Sequence, residues 1–473
     1  NSNQQILNYK MSKSNKAKAT NPFTGETLSE YDFLTEDQVN KKIQESWDCY
    51  LRFRRSDPKE RKQKLLKLAE ILERDSEKFA KTITSEMGKP IQESRKEVVY
   101  AIKECKYFAE NLEEFLKCEE LQSEDAKKSY VSYEPLGPIY HVTPFNFPFW
   151  LAFRGSVAAL AMGNTVLNKN PQTCPDCGIL AEKAFREAGF DNGEFINLII
   201  SQDQSECVIK NKSVRGVSFT GSTDGGAKVA SLAGQYFKKN VMELGGSDPF
   251  IVLEDADLEK AVEQSVQGRL LNAGQCCTSA KRFIVHESIF EDYKNKLVEA
   301  VKKIKIGDPM DDSTQVGPMA KKSGLEKIQE QLDKAKEKGG KILYGGEPIK
   351  DESLKKGLFF SPTVVEVTQD NPLFHEETFG PIFALTKFKD VQEAIKLAND
   401  TEYGLGGAIF SKDEKKAQEL AKEIDTGILY INHMVDWQAS NPEGGVKSSG
   451  YGREGGREGA HEFVNVKTVW VGN

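Results

Sequence analysis

The chain has 473 residues, of which 29% are charged, and its formal net charge is −7. This length predicts about three domains of roughly 150 residues and allows large buried cores. The acidic balance argues against nucleic acid as a partner, because no run of Lys and Arg with interleaved aromatic residues is present. No apolar run reaches the ~20 residues that a membrane span requires.

Residues 1–20 are polar, with lysines but no acidic residue, and we predict a disordered arm there. Long stretches of helical period follow from about residue 36 to 117. Apolar strands then alternate with amphipathic helices. The first series of predicted strands lies at 139–142, 165–168, 195–200, 216–219 and 240–243. The second lies at 250–253, 282–286, 363–366, 382–387 and 407–410. This alternation predicts an α/β fold with parallel sheets covered on both faces.

The last segment, residues 463–471, alternates as a strand and follows a Gly-rich loop. An apolar terminal strand requires a pairing partner, which the sequence alone places either in its own chain or in another.

The eight cysteines are scattered through helix-like and loop-like segments, which is typical of a reducing compartment rather than of a disulfide framework. We therefore expect a cytoplasmic protein, with the mitochondrial matrix as the alternative. Cys174 and Cys177 have the spacing of half a zinc site, but no second Cys or His pair complements them. Two free thiols at a helix start are predicted there, and no metal.

Three short segments carry the chemistry. Cys277 lies in Asn-Ala-Gly-Gln-Cys-Cys-Thr at 272–278, Glu243 in Met-Glu-Leu-Gly-Gly at 242–246, and Asn146 in Pro-Phe-Asn-Phe-Pro at 144–148. A thiol that attacks a carbonyl needs a thiolate, a base and a donor to the oxyanion that forms. In the order in which they occur along the chain, these three segments closely resemble those of the aldehyde dehydrogenase superfamily. The resemblance extends from about residue 20 to the C-terminus. Longer strings resemble its bacterial-type, NAD(P)-dependent succinate-semialdehyde branch.

The resemblance implies that Cys277 is the nucleophile, with Cys276 as its only competitor, and that Glu243 is the base. Asn146 and the backbone N–H of Cys277 would stabilise the oxyanion. The thiohemiacetal would lose a hydride to a nicotinamide, and the resulting thioester would be hydrolysed. Members that transfer the acyl group to coenzyme A generally lack this glutamate, so the free acid is the expected product. A retained fold without turnover is the remote alternative.

Residues 219–226, Phe-Thr-Gly-Ser-Thr-Asp-Gly-Gly, follow a predicted strand and open a helix, where glycines and backbone N–H groups can approach a phosphate. The resemblance implies an NAD or NADP site formed by Thr143, Pro144, Lys169, Gln172, Gly221, Ser222, Leu244, Glu377 and Phe379. NAD-preferring members commonly have Glu where this chain has Gln172. A neutral amide does not repel a 2′-phosphate, so we expect NADP to be tolerated.

Arg154 lies eight residues after Asn146, where the succinate-semialdehyde branch carries Arg. The resemblance therefore implies that Arg154 binds a substrate carboxylate and that the enzyme oxidises succinate semialdehyde to succinate. A structural ion pair is the alternative role. Trp437 and Ser440 lie in a loop that shapes the outer wall of the pocket in this family. The loop departs from the branch at Trp437 and at Glu443, and Leu271 lies where some members have a second Arg. The alternative substrate class is therefore a broader range of aliphatic or aromatic aldehydes.

The resemblance also implies the domain organisation. We predict two Rossmann-type domains, a cofactor-binding domain over 21–245 and a catalytic domain over 246–445, with a return segment over 446–473. A hairpin at about 122–138 and the terminal strand form a small β oligomerisation element that adds to a neighbouring subunit. A homodimer or homotetramer that acts on a small-molecule aldehyde is therefore expected.

Overall fold

The computed structural model describes residues 15–190, 193–347, 349 and 351–473. Its first elements are two antiparallel strands, β1 (Lys16–Thr20) and β2 (Thr27–Asp32). The predicted arm is thus wrong for residues 16–20, because Ala17 and Ala19 alternate with exposed lysines and bury one face of β1. Residues 1–14 of that arm lie outside the described residues.

Four helices confirm the helical period that was predicted from residue 36. They are α1 (Glu36–Phe53), α2 (Pro58–Arg74), α3 (Ser76–Met87) and α4 (Ile91–Phe115). Thr35 and Gln38 form a capping box at the start of α1, and Asp57 caps α2 before a proline at its first position. α3 ends at Gly88, whose φ of 91° is left-handed. Two antiparallel strands follow, β3 (Glu119–Leu121) and β4 (Ala126–Pro135).

The first large sheet is parallel in its five main strands and has the order β9-β8-β5-β6-β7. Its strands are β5 (Pro138–Val142), β6 (Thr165–Lys169), β7 (Phe195–Asn197), β8 (Gly216–Thr220) and β9 (Lys239–Glu243). The helices between them are α5 (Trp150–Ala161), α6 (Pro175–Glu187), α7 (Ser205–Lys210) and α8 (Thr223–Gln235). All carboxyl ends of these strands meet at one edge, which is where ligands bind in open α/β sheets.

The second large sheet has the order β12-β13-β14-β11-β10-β15-β16 and is parallel except for β12. Its strands are β10 (Asp248–Val252), β11 (Ala280–His286), β12 (Lys341–Tyr344), β13 (Thr363–Glu366), β14 (Ile382–Phe388), β15 (Ala408–Phe410) and β16 (Tyr430–Ile431). Its helices are α9 (Leu258–Leu270), α10 (Phe290–Lys302), α11 (Lys322–Glu337), α12 (Pro372–His375), α13 (Val391–Asn399) and α14 (Glu414–Ala421).

The chain finally returns to the first sheet. β17 (Gly450–Tyr451) pairs antiparallel with β9, and α15 (Gly456–His461) leads to β18 (Val464–Gly472). β18 pairs with β4 of its own chain along its whole length, and β4 pairs with β3, so the terminal strand has an intrachain partner. The hairpin begins at β3, slightly earlier than predicted. No helix in the described part of the chain combines the length and apolar character that crossing a membrane requires.

Candidate active site

Cys277 follows a strained turn at the end of α9. Asn272, Ala273 and Gly274 all have left-handed backbones, with φ of 56°, 54° and 76°. A Cβ atom at Gly274 would lie 2.3 Å from the carbonyl oxygen of Gly380, so only glycine fits there. Left-handed conformations are unfavourable for the two preceding residues, and both are buried. The surrounding packing therefore holds this turn in place and fixes the start of the cysteine segment.

Two adjacent thiols share this segment. Cys276 is buried, whereas Cys277 is partly exposed. A hydrogen bond between them lowers the pKa of Cys276 to about 6 and raises the pKa of Cys277 well above its usual range. Because the two titrations are linked, the two pKa values belong to the pair of thiols rather than to either thiol alone. Of the two, Cys277 is the sulfur that a substrate can reach.

Lys281 holds the backbone of the cysteine segment, and sequence reasoning missed it. Its buried ammonium donates to the carbonyl oxygens of Cys276, Cys277 and Ser279 at 3.1, 2.7 and 3.2 Å. Its charge also lowers the pKa of both thiols, after the larger effect of the bond between them. A lysine in the strand directly after the cysteine segment was the available signal, since buried lysines are rare without partners.

Asn146 is tied to the same segment. Its side-chain amide donates to the backbone carbonyl oxygen of Gln275 at 3.0 Å. The backbone carbonyl oxygen of Asn146 accepts from the Asn272 side chain at 2.7 Å. The amide has a second N–H group, which is free to donate to an oxyanion at Cys277. The helix behind it, α5, is fixed by Glu97, which accepts from the backbone N–H groups of Phe149 and Trp150 at 2.9 and 3.0 Å.

Glu243 ends β9 and is buried, and its Oε1 atom has no hydrogen-bond partner among the described residues. Burial raises the pKa of this carboxyl to about 7, against the opposing effect of Arg154. Its charge in turn raises the pKa of Cys277, after the larger effects of Cys276 and burial. A carboxylate with a free oxygen and a near-neutral pKa is suited to accept a proton from water.

Arg154 is surrounded by carboxylates. Its guanidinium contacts Glu454 at 2.5 Å, Glu443 at 3.2 Å and Glu243 at 3.8 Å, and every member of this cluster is buried. The structural ion pair considered above is therefore present. Glu443 and Glu454 were missed as partners, although Glu443 stood out as a departure from the family pattern. Burial raises the pKa of Glu443 to about 8, against the opposing effect of Arg154.

The two remaining candidates for the outer wall differ in burial. Trp437 is buried against Trp150 and Tyr100, with ring centroids 4.9 and 5.1 Å away, and Ser440 is exposed. The indole N–H groups of Trp150 and Trp437 are buried and have no acceptor among the described residues. Leu271 packs against the same hydrophobic core. Buried donors without an acceptor are costly unless a ligand supplies one.

The carboxyl edge of the first sheet offers a fitting site for a dinucleotide. Ser222 caps α8 by accepting from the Gly225 N–H at 3.2 Å, and Gly221 donates its N–H to the Glu243 carbonyl oxygen at 3.0 Å. A Cβ atom at Gly226 would lie 2.2 Å from Leu244, so α8 packs directly on the strand that bears the base. The exposed start of α8 thus presents N–H groups and a positive dipole end to a phosphate.

The other predicted cofactor residues surround this edge. Thr143 donates its N–H to the Lys169 carbonyl oxygen at 3.1 Å, Pro144 follows it, and the Gln172 carbonyl oxygen is held by β1. Glu377 accepts from the Gly246 N–H at 3.0 Å, and Phe379 lies 6.1 Å from the Phe145 ring. Lys169 is 4% exposed, and its ammonium has no hydrogen-bond or ion-pair partner among the described residues, which fits a site for an anionic cofactor.

Cys174 and Cys177, the half zinc pattern, lie at the start of α6 as free buried thiols whose pKa is raised by burial. Within the described ranges, no cluster of three or more His, Cys, Asp or Glu side chains is arranged to hold a metal ion.

Comparison with known proteins identifies this arrangement. The family model described as "Aldehyde dehydrogenase family" matches residues 9–469. A succinate-semialdehyde dehydrogenase [NADP(+)] from Mycobacterium ulcerans is 37% identical over 96% of this chain and 99% of its own length. The Escherichia coli succinate semialdehyde dehydrogenase [NAD(P)+] Sad is 39% identical over 95% of this chain and 96% of its own.

Solved structures support the same family assignment. The succinic semialdehyde dehydrogenase of Streptococcus pyogenes, solved with NADP+, has a TM-score of 0.94 and 37% identity over 97% of this chain and all of its own. The predicted α/β fold class and the predicted dependence on NAD or NADP are therefore confirmed. These matches span nearly the whole described chain, and the chain belongs to the aldehyde dehydrogenase family as an NAD(P)-dependent enzyme that oxidises aldehydes.

Proposed function

We propose that the enzyme oxidises a short aldehyde with a terminal carboxylate, succinate semialdehyde first among the candidates, to the free acid. The relatives named above support this substrate. The observation that carries the proposal is a buried group of donors: the Arg154 guanidinium lies 3.8 Å from Glu243 and 5.2 Å from the Trp150 ring, and Trp437 packs on Trp150. Among the described residues the indole N–H groups of Trp150 and Trp437 have no acceptor, and a substrate carboxylate would supply one.

In this proposal Cys277 attacks the aldehyde carbon as the thiolate of the thiol pair, and Lys281 favours that thiolate by its charge. The second N–H of the Asn146 amide and the Cys277 backbone N–H donate to the oxyanion. A bound nicotinamide would supply the acceptor for the hydride that the substrate carbon loses. Glu243 then takes a proton from water, whose oxygen attacks the thioester carbon and releases the carboxylic acid and the Cys277 thiol.

The cofactor residues orient the dinucleotide for this reaction. Lys169 would hold the adenosine ribose, with Gln172 beside it and Ser222 and Gly221 at the phosphates. Glu377 would hold the second ribose, and Phe379 would flank the nicotinamide ring. Thr143, Pro144 and Leu244 would line the cleft between them. The unpaired charge of Lys169 and the exposed start of α8 support these roles.

One observation favours the second candidate, oxidation of uncharged aliphatic or aromatic aldehydes. Glu443 already contacts Arg154 at 3.2 Å, so a substrate carboxylate must share the guanidinium with an internal carboxyl group. Glu454 occupies another edge at 2.5 Å. If Arg154 stays paired with Glu443 and Glu454 when substrate binds, the pocket closed by Trp437 has no available positive charge. A neutral aldehyde tail is then preferred.

Specificity constants for succinate semialdehyde, hexanal and benzaldehyde test the proposal on the wild type, Arg154→Ala and Glu443→Gln. We expect succinate semialdehyde to dominate and to lose about 100-fold, or 2.7 kcal/mol of transition-state binding, without Arg154. Glu443→Gln removes the carboxyl group that contacts Arg154 and should raise the constant for succinate semialdehyde but not for hexanal. Equal wild-type constants for all three aldehydes, insensitive to Arg154, would establish the second candidate.

We also propose a homodimer or homotetramer in the cytoplasm. The sheet of β18, β4 and β3 exposes apolar side chains, with Val466 and Trp470 59% and 54% accessible in the single chain. Such residues on a sheet surface favour burial against another subunit. Light scattering of the wild type and of Trp470→Lys tests this: we expect an oligomer that the lysine weakens, and a wild-type monomer would refute it.

A further inference from the structure

One face of α4 carries two glutamates that accept hydrogen bonds from the backbone of the active site. Glu93 and Glu97 are four residues apart and therefore lie on the same side of the helix. Glu97 is fully buried, and Glu93 is partly buried. Because carboxylates are rarely buried unless they are paired, the groups that these two contact indicate their role.

Glu93 holds the left-handed turn before the cysteines. Its Oε2 atom accepts the backbone N–H of Asn272 at 2.8 Å. The side-chain amide of Asn272 donates to the backbone carbonyl oxygens of Asn146 at 2.7 Å and of Gln275 at 3.3 Å. Asn272 thus joins the cysteine segment to the segment that bears the oxyanion donor, and Glu93 fixes the residue that joins them.

Glu97 holds the same segment on the other side of Asn146. Its Oε1 atom accepts from the two N–H groups at the start of α5, at 2.9 and 3.0 Å. Its Oε2 atom accepts from the buried Lys89 ammonium at 2.6 Å, and this ammonium lies 3.7 Å from the centroid of the Phe147 ring. The ion pair therefore contacts the residue directly after Asn146.

Both anchors of Asn146 belong to one rigid element. α4 extends over 25 residues, and its inner face is fully buried at Val98, Ala101, Cys105 and Phe108. Since a helix rises 1.5 Å per residue, the backbone positions of the two glutamates are separated by roughly 6 Å along the axis. A displacement of ~1 Å between reacting groups can lower a rate by about 100-fold, so a fixed spacing of the two anchors has catalytic value.

We propose that Glu93 and Glu97 are positioning residues, which set the distance between the Cys277 thiol and the Asn146 amide with α4 as their common support. Glu93 acts through Asn272, and Glu97 acts through the start of α5, so neither carboxylate takes part in a chemical step. The inference rests on the proposed roles of Cys277 and Asn146. It is independent of the aldehyde that the enzyme oxidises.

A double-mutant cycle with Asn146 tests the role of Glu93. The rate of cofactor reduction in the first turnover is measured with enzyme in excess over the aldehyde and with saturating NADP. Succinate semialdehyde and hexanal are used separately. We expect Glu93→Ala to lower this rate by about 10-fold in the wild type, but by less than about 3-fold in Asn146→Ala, where the amide to be positioned is absent. A general loss of stability would lower the rate equally in both backgrounds.

The control variants separate the hydrogen bond from other effects. Glu93→Gln keeps a side-chain oxygen that can accept the Asn272 N–H, and its rate should stay within about 2-fold of the wild type. Glu110→Ala is the matched control, because Glu110 is an exposed glutamate of the same helix, and its rate should not change.

The second anchor is tested on a neutral pair. Lys89→Met combined with Glu97→Met replaces the buried ion pair by apolar side chains, so that no buried charge is left without its partner. We expect the first-turnover rate to fall by about 10-fold in the wild type and by less than about 3-fold in Asn146→Ala, as for Glu93→Ala.

Several results would overturn the proposal. They are equal losses in the two backgrounds, no loss from Glu93→Ala in the wild type, a Glu93→Gln variant as slow as Glu93→Ala, or the same loss in Glu110→Ala. Asn146→Ala alone tests the proposed function separately, and we expect it to lower the first-turnover rate by about 100-fold. A wild-type rate in Asn146→Ala would refute the oxyanion role and the inference with it. The expected loss without coupling to Glu93 would refute the inference alone.

Discussion

The enzyme has two positive sites, and they differ in whether their charges are matched. Arg154 is held by Glu454, Glu443 and Glu243 within 3.8 Å. Lys169 has no such partner among the described residues. A matched cation stabilises the folded protein before any ligand arrives, whereas an unmatched cation destabilises it until an anion binds. The comparison indicates that the cofactor site favours an anionic ligand, whereas a substrate must compete with internal carboxyl groups for Arg154.

Both positive sites have the roles described above only if Cys277 is the nucleophile, so substitution of Cys277 has the largest expected effect. We expect Cys277→Ser to lower kcat by at least ~10⁴-fold and to abolish the burst of reduced cofactor, because a hydroxyl is a far weaker nucleophile here. Cys276→Ser should retain the burst. Rapid-mixing absorbance and mass spectrometry after iodoacetamide labelling measure this. A burst that survives in Cys277→Ser but not in Cys276→Ser would reverse the assignment.

Glu243 contacts the matched site, and its role can be separated from that of the thiol. We expect Glu243→Gln to lower kcat by ~10³-fold while the burst of reduced cofactor remains, since only hydrolysis needs the base. The raised pKa of about 7 gives the sign of the pH effect. Below this pH the carboxyl is protonated and cannot accept a proton, so kcat should fall as pH falls through 7. Loss of the burst in the variant would contradict this role.

Measurements of unfolding free energy distinguish the matched Arg154 site from the unmatched Lys169 site most directly. Arg154→Met leaves buried carboxyl groups without their cation, and we expect the free energy of unfolding to fall by about 3 kcal/mol. Lys169→Met removes an unmatched charge and should leave the stability of the cofactor-free enzyme equal or higher. Denaturant titrations without cofactor measure both. Cofactor binding should weaken by about 10-fold in Lys169→Met alone. If the two variants destabilise equally, the two sites do not differ as described.

The smallest expected effect concerns Lys281, which supports the thiol segment. Lys281→Met removes three bonds to carbonyl oxygens and a positive charge beside the thiol segment. We expect thiol labelling at pH 7 to slow by about 10-fold, because the pKa of the thiol pair rises. The rate of labelling between pH 6 and 10 measures this shift. A slower rate at every pH without a shift would indicate a purely structural role.

Much of the molecule could be predicted from the sequence. The strand and helix alternation gave both large sheets, because each buried strand is a short apolar run between amphipathic helices. The family and its cofactor dependence followed from three motifs, since these chemical groups need fixed local geometry. β1 was missed because its buried face consists of two alanines, which carry almost no apolar signal.

The partners of Arg154 could not be predicted for another reason. Glu443 and Glu454 are almost 300 residues from Arg154 in the chain. Charge pairing over such separations is set by how the return segment and the second sheet close on the first, which no local pattern encodes. The roles of the site residues stay predictions until the variants are measured.

The left-handed turn at 272–274 has a consequence for how this enzyme can be improved. Each non-glycine residue in that conformation costs about 1 kcal/mol or more, so the folded state stores strain beside its reactive sulfur. Substitutions that relax the turn would make the protein more heat-resistant while displacing Cys277 from Asn146 and Glu243. Selection for thermal tolerance and selection for turnover should therefore favour different residues in this short segment.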